Sequence, residues 1–256
     1  MDVLTTKQIE KLRSVDSPTI FNIIDLFDIR SGRAGYTNHT VESVYPDLPP
    51  IVGYAVTASF RGAYNTRVDH PQGNVQRLVT GSTQVPAPYV AVIQELDEPP
   101  VAAIYGELFI TTLKAFDFAG LVTNGLGRDY QQVKEKGMPC FTVGHVVGRG
   151  FSKCVDVNES VTIGGLSVRP GDLLHADANG VVQIPGEIAA DVVALIDPLI
   201  ATEQIYLDCA SRPGSVNLEE LGEAFGKMKK QSTLLLKKYW KISSNQIKNS
   251  VVLEKF

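Results

Sequence analysis

Glu107 and the pair Arg128-Asp129 are the residues of this chain whose types and spacing could do chemistry together. Glu107 stands in Gly106-Glu107-Leu108-Phe109, and Arg128-Asp129 closes the run Thr123-Asn124-Gly125-Leu126-Gly127. A guanidinium can grip a carboxylate through two parallel N–H bonds. A carboxylate such as Asp129 can hold a hard divalent cation that keeps most of its waters. Together they describe a site for a small anionic keto acid on Mg2+ or Mn2+. The amides of Leu108 and Phe109, at a helix start, could receive a carboxylate, and Gly106 permits close backbone approach. Each half also has an ordinary reading. Gly106-Glu107 suits a tight turn with an exposed acid, and Arg128-Asp129 suits a surface ion pair with a helix-capping Asp.

Other chemistries find less support. Gly144-His145-Val146-Val147-Gly148-Arg149-Gly150 is Gly-rich but is no dinucleotide fingerprint, and neither a Walker motif nor a Gly-x-Ser-x-Gly elbow occurs. His39, His70, His145 and His175 form no metal-ligand pair and read as structural or surface residues. His70, within the polar run Asp69-His70-Pro71-Gln72-Gly73-Asn74, is the most site-like of them. Nothing around Lys114 argues for a Schiff base. Cys140, Cys154 and Cys209 are odd in number and widely spaced, so buried structural thiols in a reducing, cytoplasmic setting are expected.

The elements that must position the site follow from periodicity. Residues 6–29 predict two helical blocks divided at Pro18, with Asp16 or Ser17 as N-cap of the second. Residues 51–58, 89–93 and 101–104 read as buried strands, and 61–88 as a long loop or short helix. Glu107 to Phe118 reads as a helix, 121–123 as a strand, Asp129 to Lys136 as a short helix stopped by Gly137, and 141–143 as the next strand. Residues 101–143 therefore alternate as strand, helix, strand, helix, strand, which marks an α/β unit. Short strands at 155–157, 161–168 and 180–184 make the middle more β-rich than a doubly wound sheet. Helix returns from about Glu187, and Leu218, Leu221, Phe225 and Met228 form a later apolar stripe.

The 256 residues, 44% of them hydrophobic, suffice for one sizeable core. No signal-like start and no 18-residue apolar run occur, so no membrane span is expected. Charge is uneven. From Lys227 onward eight lysines face one acid, Glu254, giving that tail +7 and the preceding chain −11. A solvated helix face or a subunit contact is the favoured reading of the tail, and nucleic acid is not an expected partner.

The motif of an acid, twenty intervening positions and Arg-Asp resembles that of the class II pyruvate aldolases, which cleave 4-hydroxy-4-methyl-2-oxoglutarate and 4-carboxy-4-hydroxy-2-oxoadipate. The same family includes the regulator of ribonuclease activity A. Glu107, residues 108–127 and Arg128-Asp129 carry the resemblance. So do Gly53-Tyr54-Ala55-Val56-Thr57, Gly165-Leu166-Ser167-Val168-Arg169-Pro170-Gly171-Asp172 and Ala176-Asp177-Ala178-Asn179-Gly180-Val181-Val182.

The resemblance implies an α/β fold, a swivelling β/β/α domain over 1–205; the residues themselves add a helical, Lys-rich C-terminal extension over 206–256, longer than a minimal member's. It implies a homotrimer or homohexamer with sites between subunits. By the same resemblance Asp129 would bind Mg2+ or Mn2+, and Arg128 would grip the pyruvate carboxylate and balance the enolate. Gly106 and the amides of Leu108 and Phe109 would help bind the 2-keto acid, and Glu107 would hold a water that shuttles protons. A neighbouring subunit would add a carboxylate, with Glu203 a weak candidate. Asn124 departs from the family's usual Asp and removes a negative charge near the metal.

The implied function is metal-dependent aldol cleavage of a 4-hydroxy-2-oxo acid to pyruvate, with oxaloacetate decarboxylation as a companion activity. Two other readings are a non-enzymatic, protein-binding regulator and a metal-enolate enzyme acting on a sugar-acid-like substrate.

Overall fold

The computed structural model describes residues 3–63 and 73–250, with side chains to residue 235. His70, within residues 64–72, and the lysine side chains beyond 235 lie outside the described residues. The chain opens with α1 (Thr6–Arg13) and α2 (Ser17–Leu26). Thr5 and Gln8 form a capping box on α1, while the Asp16 side chain accepts from Thr19 N on α2, with Pro18 in its first turn.

Next come β1 (Glu42–Ser43), β2 (Ile51–Arg61), α3 (Asn74–Ser82), β3 (Tyr89–Glu95) and β4 (Ala103–Tyr105). They are followed by α4 (Glu107–Ala115), β5 (Phe118–Thr123), β6 (Leu126–Gly127), α5 (Tyr130–Glu135) and β7 (Cys140–Thr142). The β-rich stretch holds β8 (Lys153–Val157), β9 (Val161–Ile163), β10 (Leu166–Val168), β11 (Leu173–Asp177) and β12 (Gly180–Ile184). A 3-10 turn at Gly186–Ile188 leads into α6 (Ala189–Ser211) and α7 (Leu218–Ser250).

The main sheet runs β1-β7-β5-β3-β2-β11-β12, with β8 also on β2. Strands β2, β3, β5 and β7 are mutually parallel, and β1, β8, β11 and β12 are antiparallel additions. Register sorts the core into two faces. The row Val56, Ala91, Leu121 and Cys140 belongs to the larger cluster, with Ile20, Ile24, Ile110, Leu113, Val192 and Leu195 from the helices. The alternate row Val92, Val122 and Phe141 packs with Val161, Ile163, Leu166 and Val168 of β9 and β10. A β hairpin thus covers one face of the sheet and helices cover the other. Each aliphatic side chain in these rows contributes about 1.5–3 kcal/mol by leaving water. This is the mixed α/β architecture expected from the sequence.

Several local expectations are corrected. Residues 161–168 are a hairpin rather than one strand, because Gly164 and Gly165 both take positive φ, 53° and 81°. Strand β11 went unread because all five of its residues are buried, so no polar alternation marks it. Helix α4 stops at Ala115, since Asp117 at φ 61° turns the chain and Phe118 already begins β5. Strand β4 pairs with β6, not with β5, so the 101–143 unit is split between two sheets. Among the described side chains of α7 the buried residue is Ala224, whereas Leu218 and Phe225 of the expected stripe are exposed. Cys140 and Cys154 are buried free thiols, but Cys209 is only partly buried.

His175, fully buried on β11, ties the α1–α2 turn to the sheet. Its Nε2 faces the carbonyls of Leu12 and Val15 at 3.2 and 3.0 Å, so Nε2 carries the proton and Nδ1 accepts from Ser17 Oγ at 2.8 Å. Burial lowers its pKa, against the opposing charges of Asp177 and Asp16. The folded state therefore resists protonation, and stability from this residue is lost as pH falls through the ordinary histidine range. His175→Ala is expected to cost about 2–4 kcal/mol in urea unfolding at pH 7. His175→Gln should flatten the loss of stability between pH 7 and pH 5; an unchanged pH slope would remove His175 from that role.

Candidate functional site

The site is built by two short strands. β4 and β6 pair in parallel, Ala103 with Leu126 and Tyr105 with Gly127. Their carboxyl ends therefore stop side by side, and ligands in α/β proteins collect at such ends. Gly106-Glu107 leaves β4 into α4, and Arg128-Asp129 leaves β6 into α5. The Arg128 amide donates to the Tyr105 carbonyl at 3.1 Å, which extends the pairing by one rung. A Cβ on Gly127 would lie 2.4 Å from Tyr105 Cζ, so glycine lets the buried Tyr105 ring fill the space beneath the turn.

Asp129 carries the strongest local signature. It is left-handed, φ 57° and ψ 44°, a conformation that costs a non-glycine residue on the order of 1–3 kcal/mol. It sits at the N-cap of α5, yet its side chain makes no capping bond there. The carboxylate instead reaches across to α4, where Oδ2 accepts from the Glu107 amide at 3.0 Å. Arg128 Nε stands 3.6 Å from the same oxygen. A Cβ on Gly106 would fall 2.5 Å from Oδ2 and 3.1 Å from Arg128 Nε, so the absence of a side chain at 106 makes this convergence possible.

The amides of Leu108 and Phe109, in the first turn of α4, have no acceptor among the described residues. They form the positive end of a nine-residue helix, a natural place for an anion. The Leu108 side chain is 83% exposed and plays no part in the cluster. The Phe109 ring turns inward against Phe60, edge to face at 6.1 Å. Glu107 extends its carboxylate to Lys136 Nζ at 2.9 Å, a half-exposed ion pair worth no more than about 1 kcal/mol. Lys114 donates to the Lys136 carbonyl. Glu203 lies on α6, which packs on α1, α2 and α7.

Among the described residues no three His, Cys, Asp or Glu side chains converge as a metal cage. The donor set suits a hard cation held by one carboxylate and water, because among the described residues Asp129 Oδ1 has no protein partner.

Sequence reasoning missed Tyr105, Lys136 and Glu95. Asn124 also does more than drop a charge. Its Oδ1 accepts from Glu95 N at 2.7 Å and its Nδ2 donates to Glu95 O at 3.0 Å. A carboxylate could make only the first bond, so the amide zips the end of β5 to the end of β3. Glu95 is 97% buried at that end; Oε1 accepts from the Asp97 amide and Oε2 has no partner among the described residues. An acid closing the apolar run Tyr89-Val90-Ala91-Val92-Ile93 was the available signal.

The family described as RraA-like, Aldolase/RraA, matches residues 20–183. Over 103 residues the chain is 29% identical to protein DlpA of Legionella pneumophila, covering 40% of this chain and 17% of that one. Over 84 residues it is 33% identical to a Halalkalibacterium halodurans protein with the provisional name 4-hydroxy-4-methyl-2-oxoglutarate aldolase, covering 32% of this chain and 40% of that one. The chain thus matches under half the length of these curated relatives. Among solved structures, an uncharacterised Pseudomonas syringae protein is similar with TM-score 0.68 at 20% identity, over 87% of this chain and 94% of the other. Streptomyces coelicolor RraAS2, described as an unusual member of the RNase ES inhibitor RraA family, is similar with TM-score 0.63 at 23% identity, over 83% of this chain and 100% of the other. These two likenesses concern the fold.

Burial raises the pKa of Glu95, reinforced by the charge of Asp97 and opposed by backbone hydrogen bonds, of which that from the Asp97 amide is the largest. Arg61 pairs with Asp97 at 3.8 Å on the far side. The folded state thus keeps a proton that the unfolded chain releases near the ordinary carboxylate pKa. Stability falls as pH rises through that window and stays lower above it. Glu95→Gln should therefore gain stability relative to the parent at pH 7 compared with pH 4, measured by urea midpoints; equal shifts at both pH values would contradict this.

Proposed function

The chain belongs to the RraA-like, Aldolase/RraA family, and from that membership we propose a divalent-metal-dependent carbon–carbon lyase that releases pyruvate from a 4-hydroxy-2-oxo acid and decarboxylates oxaloacetate. One observation carries this reading: a strained Asp129 and its neighbour Arg128 meet the open N-terminus of α4, where two amides await an anion. In this reading Arg128 grips the substrate's C1 carboxylate and balances the negative charge that grows during bond cleavage. The amides of Leu108 and Phe109 donate to the same carboxylate, and Gly106 keeps the approach clear. Asp129 holds Mg2+ or Mn2+, which when bound would polarise the 2-keto oxygen as a Lewis acid. Glu107, steadied by Lys136, holds a water that carries protons. No covalent nucleophile is required.

Assembly as a homotrimer or homohexamer belongs to the same proposal. Leu108 beside the site, and Val101, Val147 and Phe151 on flanking segments, are all exposed apolar side chains that a second subunit would cover. The Lys-rich extension over 206–256 is proposed as a subunit contact; Lys227, Lys229 and Lys230 on α7 are exposed. Among the described residues no helix is long and apolar enough to cross a membrane.

The test is pyruvate formation from oxaloacetate and from 4-hydroxy-4-methyl-2-oxoglutarate with Mg2+, Mn2+ or EDTA. Metal-dependent pyruvate is expected, reduced on the order of 10²–10³-fold or more in Arg128→Ala and in Asp129→Ala with the oligomer still folded. Full activity in either variant would refute the assignment. Absence of both pyruvate and metal binding in the parent protein would favour a protein-binding regulator. Metal binding without pyruvate would favour another enolate substrate, such as a sugar acid.

A further inference from the structure

The Gly-rich segment 144–150 runs beside the two strands that deliver the site. Gly127 N donates to Gly144 O and Val146 N donates to Gly127 O, both at 2.9 Å, so Gly127 and His145 form a parallel bridge one residue before Arg128. Farther along, Ala103 N donates to Gly148 O at 2.8 Å, fixing the segment to β4 as well. The segment therefore lies against both strands that deliver the site.

His145 belongs to this segment. Its ring packs edge to face on Tyr130, centroids 5.3 Å apart and planes at 74°. Tyr130 directly follows Asp129, and it is itself anchored: its ring lies 5.2 Å from that of Tyr45, whose hydroxyl donates to the Tyr130 carbonyl at 2.7 Å. His145 is thus bracketed by Gly127 and Tyr130, the residues on either side of Arg128-Asp129. Its outer face is exposed, and neither ring nitrogen has a hydrogen-bond partner among the described residues. Partial burial lowers its pKa, which favours the neutral imidazole. This contrasts with Glu107, whose carboxylate is already engaged by Lys136.

We infer that His145 is a further catalytic residue, the general base that takes the C4 hydroxyl proton of a 4-hydroxy-2-oxo acid during aldol cleavage; this rests on the lyase reading above. In the step, the hydroxyl proton moves to a ring nitrogen of His145 and the O–H pair becomes the new C=O bond. The C3–C4 bond breaks and its electron pair becomes the enolate of pyruvate. Water then protonates C3, and the exposed imidazolium returns its proton to solvent. Decarboxylation of oxaloacetate yields the same enolate with no hydroxyl to deprotonate, so it does not call on this base.

That difference supplies the test. Pyruvate release from 4-hydroxy-4-methyl-2-oxoglutarate and from oxaloacetate is measured with Mg2+ for the parent, His145→Gln and His145→Ala. The ratio of aldol cleavage to decarboxylation is expected to fall on the order of 10²-fold in both variants. Added imidazole is expected to restore cleavage in His145→Ala. A merely structural role would lower both reactions together. Equal loss in both, loss in neither, or a parent that acts on oxaloacetate alone would overturn the role of His145. A parent that makes pyruvate from neither acid would instead refute the lyase reading itself.

Discussion

The pairing of β4 with β6 is the constraint on which the site depends. Only two residue pairs define it, plus the amide of Arg128 on the carbonyl of Tyr105. It sets two strand-to-helix junctions side by side and lets the carboxylate from one satisfy the first amide of the helix from the other. A side chain that caps its neighbour's helix rather than its own is geometrically committed. Asp129 can reach only because its backbone is left-handed and because residue 106 has no Cβ. The strain at 129 is thus offset by a charge-assisted hydrogen bond and by the positive end of α4.

The layered core makes that arrangement rigid. Because the central strands are buried on both faces, by helices on one side and the β9–β10 hairpin on the other, their ends cannot shift independently. Asn124 carries this rigidity to the site by binding both backbone groups of Glu95. Tyr105 does so from below, with its ring under Gly127 and its carbonyl on Arg128. The site is stiff where it meets the scaffold and open at Leu108, the side on which a second subunit is proposed.

Much of this was legible in the sequence because it rests on local rules. Asp16 before Ser17-Pro18 announces a helix start, and Gly137 announces a stop. Gly106-Glu107 and Arg128-Asp129 each allow an ordinary reading alone, and it was the twenty residues between Glu107 and Arg128-Asp129 that set them apart. What escaped was pairing. Periodicity assigns 101–104 to a strand but cannot say that the strand formed there, β4, pairs with 126–127 rather than with the strand read at 121–123. It passes over β11, where burial on both sides erases the alternating pattern. His145 read as an ordinary histidine because what sets it beside Arg128-Asp129 is a bridge to Gly127, a contact across eighteen residues. Asn124 read as a lost charge because nothing in the chain order shows it facing Glu95.

The carboxylate of Asp129, turned toward α4, is the proposed metal-binding group next to the proposed anion site. Titration of Mn2+ into the protein, followed by electron paramagnetic resonance with and without oxalate, tests it directly. Oxalate is a planar dianion like the enolate of pyruvate. Asp129→Asn is the comparison, since Asn tolerates the left-handed backbone and can still accept from the Glu107 amide. The account predicts that the parent binds Mn2+ more tightly with oxalate present, and that Asp129→Asn loses Mn2+ binding while melting as the parent does. Equal Mn2+ binding by parent and variant would contradict it.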